Sequence, residues 1–156
     1  MERSYGGSPD ARRKLALDVA EGVRAVWPAY KPFFRPSCVG GIDGGLEVED
    51  SVILSRELGQ RGVDVVFCSS AGLRSVTSNA SGVAPKPWFQ VPYAARIRLE
   101  AGLVTMAVGL PPAARAEDVL VRGDADIVAL GRAARQYPNW ALRAGQELGL
   151  DPDRAC

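Results

Sequence analysis

The sequence predicts an α/β fold of four parallel βα units preceded by one helix. Three observations predict it. Short runs rich in Val, Ile and Leu alternate with longer stretches of helical periodicity. The joints between them resemble one another: Arg61-Gly62-Val63-Asp64 and Arg122-Gly123-Asp124-Ala125-Asp126 each lead from a helix end into an apolar strand, and Ala101-Gly102-Leu103 is a looser version. Glycine closes the three helices at these joints, where a strand is due. Four such units make either an open doubly wound sheet or half of a closed (β/α)8 barrel, and periodicity leaves both open.

Ser8-Pro9-Asp10 reads as a helix start, with a serine cap, a proline in the first turn and an acid near the positive end of the dipole. Leu15, Val19, Val23 and Val26 share one helical stripe, and Trp27-Pro28 closes the element. Lys31 to Arg35 is short and apolar, like a buried strand, and Gly40 to Gly45 is a loop. Helical periodicity through Val52, Ile53 and Leu58 marks Glu49 to Gln60, followed by the strand Val63 to Cys68. Ser69 to Trp88, rich in Ser, Gly, Asn and Pro, reads as a long surface loop of the kind that more often shapes a site than merely connects. Pro92 to Ala101 is helical, Leu103 to Val108 a strand, Ala113 to Arg122 a helix and Ala125 to Leu130 the fourth strand. A last helical region opens at Gly131-Arg132 and runs to about Leu148. Residues 1–150 are expected to form one domain, with 151–156 as a short tail.

Composition excludes several functions. Lys and Arg number 19 against 18 for Asp and Glu, interspersed in sign, so no global field recruits nucleic acid. No apolar run approaches the roughly 20 residues that cross a bilayer, and residues 1–8 hold no hydrophobic signal region. No membrane association and a cytoplasmic location are expected. Cys38, Cys68 and Cys156 lack the spacing of a zinc site or a disulfide framework, and Cys38 and Cys68 are read as small buried or half-buried residues. The chain contains no histidine. A Ser-His-Asp triad is therefore excluded, and no catalytic acid or base is named.

In parallel α/β folds, ligands gather at the C-terminal ends of the strands. Arg35, the Gly40 to Gly45 loop, Gly109-Leu110 and Gly131-Arg132 all fall there. Glycine after a strand lets a phosphate approach bare backbone N–H groups, and an arginine beside it supplies a charged fork. On composition alone Gly109 and Gly131 are more readily read as tight turns only. The glycines of the 40–45 run do not fit GxGxxG, so that segment is taken as a flexible loop. An arginine in a buried strand needs an anionic or carbonyl partner, so Arg35 is either a salt-bridge residue or a ligand contact. Trp88, Tyr137 and Trp140 are read as packing residues.

Taken together the motifs resemble the old yellow enzyme family of FMN-dependent NAD(P)H oxidoreductases, in its bacterial ene-reductase and xenobiotic-reductase branch. The resemblance is carried by Tyr5-Gly6-Gly7-Ser8 with Arg12, Lys31-Pro32-Phe33-Phe34-Arg35 and Gly41-Ile42-Asp43-Gly44-Gly45. It continues through Gly62-Val63-Asp64 with Cys68-Ser69-Ser70, Gln90-Val91-Pro92-Tyr93-Ala94, Met106-Ala107-Val108-Gly109-Leu110, Ala129-Leu130-Gly131-Arg132 and Tyr137-Pro138-Asn139-Trp140. Each word is weak alone. Their order and spacing hold from Tyr5 to about Leu150.

The resemblance implies the C-terminal half of a TIM (β/α)8 barrel, strands five to eight. It implies that Arg35 contacts the polar edge of the FMN ring, and that Gly109, Leu110, Gly131 and Arg132 hold the FMN phosphate. It also implies NAD(P)H as reductant, a small electrophilic alkene as substrate, and a loop after Ser70 near the substrate pocket. The family's first four strands, with the histidine pair that binds substrate oxygen, are missing. The chain is therefore expected to self-associate or to pair with a separate N-terminal half, and Met1 to be an internal start or a gene break. Three departures stand out: Pro36 at a strand position, where it is expected to disturb Arg35, Gly40 for an aspartate, and Leu46 for an aromatic residue. Two other readings remain: a non-catalytic remnant with weak or no FMN binding, and an unrelated phosphate-binding α/β domain.

Overall fold

The structure, a computed structural model, describes residues 5–27, 32–40, 44–70, 88–109 and 112–151. The long loop after Ser70, residue Leu110, the middle of the glycine-rich loop and most of the tail lie outside these residues. Helix α1 (Pro9–Val26) leads into β1 (Phe33–Phe34), α2 (Val48–Gln60), β2 (Val65–Phe67) and α3 (Val91–Ala101). Then come β3 (Val104–Val108), α4 (Ala113–Val121), β4 (Ile127–Ala129), α5 (Arg132–Gln136) and α6 (Trp140–Glu147). The four strands are parallel and neighbour one another in chain order, β1-β2-β3-β4.

Local chemistry explains the boundaries. The Ser8 hydroxyl accepts the Ala11 N–H at 3.2 Å and caps α1. The Asp50 carboxylate accepts the Glu47 N–H at 3.0 Å at the start of α2. Gly102, left-handed at φ +70°, ends α3. The last helical region is two helices rather than one. Pro138 has no N–H to donate and disfavours a helical Tyr137, so the chain breaks there and restarts at Trp140. The strand β1 is also shorter than its apolar run. Its ladder stops after Phe34 and resumes as a single bridge from Ser37 to Ser69, which brackets Pro36.

Alternation along the strands sorts side chains between two faces. Cys38, Val66, Cys68 and Ala107 turn to the helices, where they join Val52 of α2, Ile97 of α3 and Val119 of α4 in the main core. A smaller cluster packs Leu17 and Ala20 of α1 on Leu54 and Leu58 of α2, with Val63. The opposite face carries Phe33, Phe67, Met106 and Val108, which are only half-buried or exposed. The stripe of α1 that periodicity singled out does not face this core. Leu15, Val19, Val23 and Val26 are exposed, and α1 docks instead through Leu17 and Ala20. Periodicity identified an apolar face but not which neighbour covers it. No described helix is long and apolar enough to cross a membrane.

Candidate flavin-phosphate site

The register of the sheet decides which strand ends meet. Val108 pairs with Ala129 across β3 and β4, so Gly109 and Gly131 leave adjacent strands at the same, C-terminal edge. Gly109 has φ +89°, a left-handed conformation that glycine adopts without penalty. A methyl group built on either glycine meets no atom of the described residues within 4 Å. Backbone is thus bare and approachable at both turns. Arg132, the first residue of α5, is exposed, and among the described residues it has no carboxylate partner. Two uncovered turns and one unpaired guanidinium fit a phosphate dianion. The five-residue α5 is too short for a strong dipole, so the N–H groups and Arg132 would carry the attraction.

Arg35 sits at the matching end of β1, two strands away. The sequence suggested a buried arginine, but the side chain lies exposed on the open face. Arg35 and Phe67 fall on that same face by strand register, and the guanidinium carbon lies 4.5 Å from the Phe67 ring centroid. Its Nε donates to the Ser69 hydroxyl at 3.2 Å. Among the described residues no acid pairs with it, so the salt-bridge alternative is not what the structure shows. A cation stacked on a ring and steered by one hydroxyl remains free to meet a carbonyl or an anion. Ser69 was legible only as part of a motif. Its contact with Arg35 spans 34 residues and follows from the β1–β2 register.

The neighbouring polar groups stiffen this edge. The Cys38 N–H donates to the Ser69 carbonyl at 2.7 Å, and Gln90 Nε2 donates to the Ser70 carbonyl at 2.9 Å. The buried Ser70 hydroxyl has no hydrogen-bond partner among the described residues. Cys38 and Cys68 are buried and free, consistent with their reading as small buried or half-buried residues. Contact with Cys38, together with burial, pushes the Cys68 thiol up, which makes it a poor nucleophile. Trp88 and Trp140 pack against the main core, whereas Tyr137 is half exposed with Arg143 over its ring. Leu110 belongs to the sequence-derived set but lies outside the described residues.

No family model matches the chain. Among curated proteins it is 39% identical over 147 residues to an NADPH dehydrogenase of Geobacillus thermodenitrificans, covering 94% of this chain and 42% of that protein. It is 32% identical over 148 residues to an NADPH dehydrogenase of Bacillus subtilis, with the same two coverages. Among solved structures, the crystal structure of TcOYE with pHBA superposes with a TM-score of 0.61 at 17% identity, over 98% of this chain and 41% of that one. The chain therefore spans about two-fifths of the length of the relatives it matches. Those relatives are enzymes by name, and the shared fold is α/β with parallel strands.

Proposed function

Starting from a chain that matches the C-terminal half of the old yellow enzyme family, we propose that it is the FMN-phosphate-bearing half of a flavin-dependent (β/α)8-barrel oxidoreductase. The observation that carries this reading is the pair of uncovered glycine turns, Gly109 and Gly131, on adjacent strand ends beside the unpaired Arg132. Gly109, Gly131 and Arg132, with Leu110, would hold the phosphate of FMN. Arg35, oriented by Ser69, would meet the polar edge of the ring from the other side of the sheet's C-terminal end.

Bound FMN supplies two-electron transfer between NAD(P)H and an electrophilic alkene, the ene-reductase form of the activity. The chain's own contribution is binding and charge. Arg132 fixes the anionic end of the cofactor, and Arg35 places a positive charge against the ring. Phe33, Phe67, Met106 and Val108 offer an apolar floor that would keep water from the ring. No residue of this chain is assigned proton transfer to substrate.

One observation favours a second reading, binding without catalysis. The sequence contains no histidine, the commonest catalytic acid or base. Flavin titration of the purified chain, followed by an NADPH-oxidation assay, separates the two. Quenching of FMN fluorescence that riboflavin does not reproduce is the expected result. Equal affinity for riboflavin and FMN would remove the phosphate cradle from the account. Flavin binding without NADPH oxidation would leave the binding reading alone standing.

A further inference from the structure

Among the described residues, Trp88 is the one residue with a side chain that sits in the left-handed region, at φ +74°. A bulky aromatic rarely takes this conformation, and it persists only where its surroundings hold it. Here they do. The Trp88 ring packs against the main core, and its carbonyl accepts the Val91 N–H at 2.9 Å at the head of α3. Over the ring stands Arg115 of α4, its guanidinium carbon 5.1 Å from the centroid. The strained backbone thus seats a ring, and the ring seats a cation.

The pair stands on the rim of the site described above. Helices α3 and α4 end where β3 and β4 begin, so both start at the C-terminal edge of the sheet. Gln90, just after Trp88, donates from Nε2 to the Ser70 carbonyl at 2.9 Å, next to the Ser69 hydroxyl that holds Arg35. Arg115 lies in the first turn of α4, shortly after Gly109. Trp88 and Arg115 therefore bridge the rim between the Arg35 end and the phosphate end. Arg35 and Arg132 are taken up by the two ends of FMN, whereas Arg115 is not. Among the described residues its one ion pair is loose: Asp118 lies 3.5 Å away on the same helix, with both side chains more than half exposed. A surface pair of that kind gives way readily to a better anion.

A guanidinium set on an indole keeps its other face and its N–H fork open. A flat base can stack on that face, and a phosphate monoester on the adjoining sugar can take the fork. Adenosine 2′-phosphate offers both groups side by side, and its 2′-phosphate is what distinguishes NADPH from NADH. We infer that Arg115, seated on Trp88, binds the adenosine 2′-phosphate of NADPH and so selects NADPH over NADH. The inference rests on the flavin-oxidoreductase reading above, in which a nicotinamide cofactor approaches this edge of the sheet. Arg115 is a binding residue with no part in hydride transfer, and Trp88 positions it.

The test is calorimetric titration of the purified full chain, without flavin, with adenosine 2′,5′-bisphosphate and with its 3′,5′ isomer of equal charge. The 2′,5′ isomer should bind about tenfold more tightly. Arg115→Ala should erase that preference, and Arg115→Lys, which keeps the charge but loses the fork, should retain only part of it. Trp88→Leu, with an apolar side chain but no ring, should shrink the preference about threefold and leave the 3′,5′ affinity unchanged. Arg122→Ala, at the far end of α4, should leave both affinities as they are. The inference is overturned if the parent binds neither isomer or both equally, if Arg115→Ala or Trp88→Leu is as selective as the parent, or if Arg122→Ala loses as much as Arg115→Ala. Selective binding of the 2′,5′ isomer by a chain that takes up no FMN upholds Arg115 and removes the flavin reading. FMN uptake with no preference between the isomers does the reverse.

Discussion

The hydroxyl of Ser69 steers Arg35: it accepts the guanidinium Nε–H at 3.2 Å and donates its own proton to the Pro36 carbonyl at 3.3 Å. With both hydrogen-bonding roles used, the hydroxyl has one orientation, and Arg35 is held over Phe67 rather than swinging into solvent. Ser69→Ala removes that tether without touching the charge. The contact is exposed, so its loss should cost near the low end of a charged hydrogen bond, about 1 kcal/mol or roughly fivefold in FMN affinity. Arg35→Lys keeps the charge but loses the planar stack and should fall between Ser69→Ala and Arg35→Ala. Flavin titration of the three variants checks the ranking. Equal affinity in Ser69→Ala and the parent would remove Ser69 from the site.

At the phosphate end, two glycine substitutions should separate binding from stability. Gly131 has a negative φ of −112° and open space around it, so Gly131→Ala should lower the melting temperature less than Gly109→Ala does. Its methyl group would stand where the phosphate approaches, and FMN affinity should fall at least tenfold. Gly109→Ala forces alanine to φ +89° and should in addition destabilise the fold by about 1–2 kcal/mol. Arg132→Ala should weaken FMN but not riboflavin, and should flatten the salt dependence of binding. A riboflavin affinity that falls in parallel would place Arg132 elsewhere than at the phosphate.

Much of this architecture is visible in local sequence. Ser8 caps α1, Gly102 ends α3, and the apolar runs at 63–68 and 103–108 each contain a strand, because these features depend on residues a few positions apart. What escapes local reading depends on partners far along the chain. Arg35 resembles a buried strand residue in sequence, yet it lies on the face that no helix covers. The stripe at Leu15, Val19, Val23 and Val26 has perfect helical spacing, yet its covering surface is not among the described residues. Gly40 and Leu46, two departures from the family pattern, explain each other. The Gly40 N–H donates to the Leu46 carbonyl at 2.6 Å, and a Cβ on Gly40 would stand 2.9 Å from the Leu46 nitrogen. An aspartate there would require the loop to open.

Asp126 ties together three elements that no motif connects. Its carboxylate accepts the Thr105 N–H and the Arg98 Nε–H, each at 2.9 Å, and its own N–H donates to the Thr105 carbonyl at 3.0 Å. The entry to β3, the entry to β4 and helix α3 meet at this side chain. Asp126→Ala leaves the N–H of the fully buried Thr105 without an acceptor and should cost about 1–3 kcal/mol in urea unfolding. Asp126→Asn keeps one acceptor oxygen and should recover part of the loss. An alanine variant as stable as the parent would show that solvent replaces the carboxylate at no cost.

The two described cysteines make a chemical prediction of a different kind. Cys38 and Cys68 share the core between β1, β2 and the helices, and neither is exposed. The Cys68 thiol is pushed up by its neighbour and by burial, whereas the same contact draws the Cys38 thiol down, so Cys38 is shielded by its burial alone. Under native conditions peptide mapping after alkylation should find both unmodified, and in denaturant both should react within minutes. Rapid native labelling at Cys68 would mean that this edge of the sheet opens.

The acid side of the stability profile should be set partly at α1. A hydrogen bond from Lys14 first, and one from Tyr5 second, holds the Asp18 carboxyl below its ordinary range, and Lys14 is raised in turn, chiefly by the same bond. A carboxyl with a depressed native pKa contributes stability above its unfolded value, about 3.9, and loses it as pH falls through the native one. A raised lysine contributes below its unfolded value, about 10.4, and loses it as pH rises through the native one. The tie is therefore intact across neutral pH and fails at both extremes. Asp18→Asn should flatten the fall in melting temperature below about pH 4 without abolishing it, because Arg96 likewise holds Glu49 down. All four side chains are solvent-exposed ion-pair members, so about 0.5 M salt should shrink the difference between parent and variant. A pH profile identical in the two proteins would show that the Tyr5–Asp18–Lys14 contact forms without favouring the folded state.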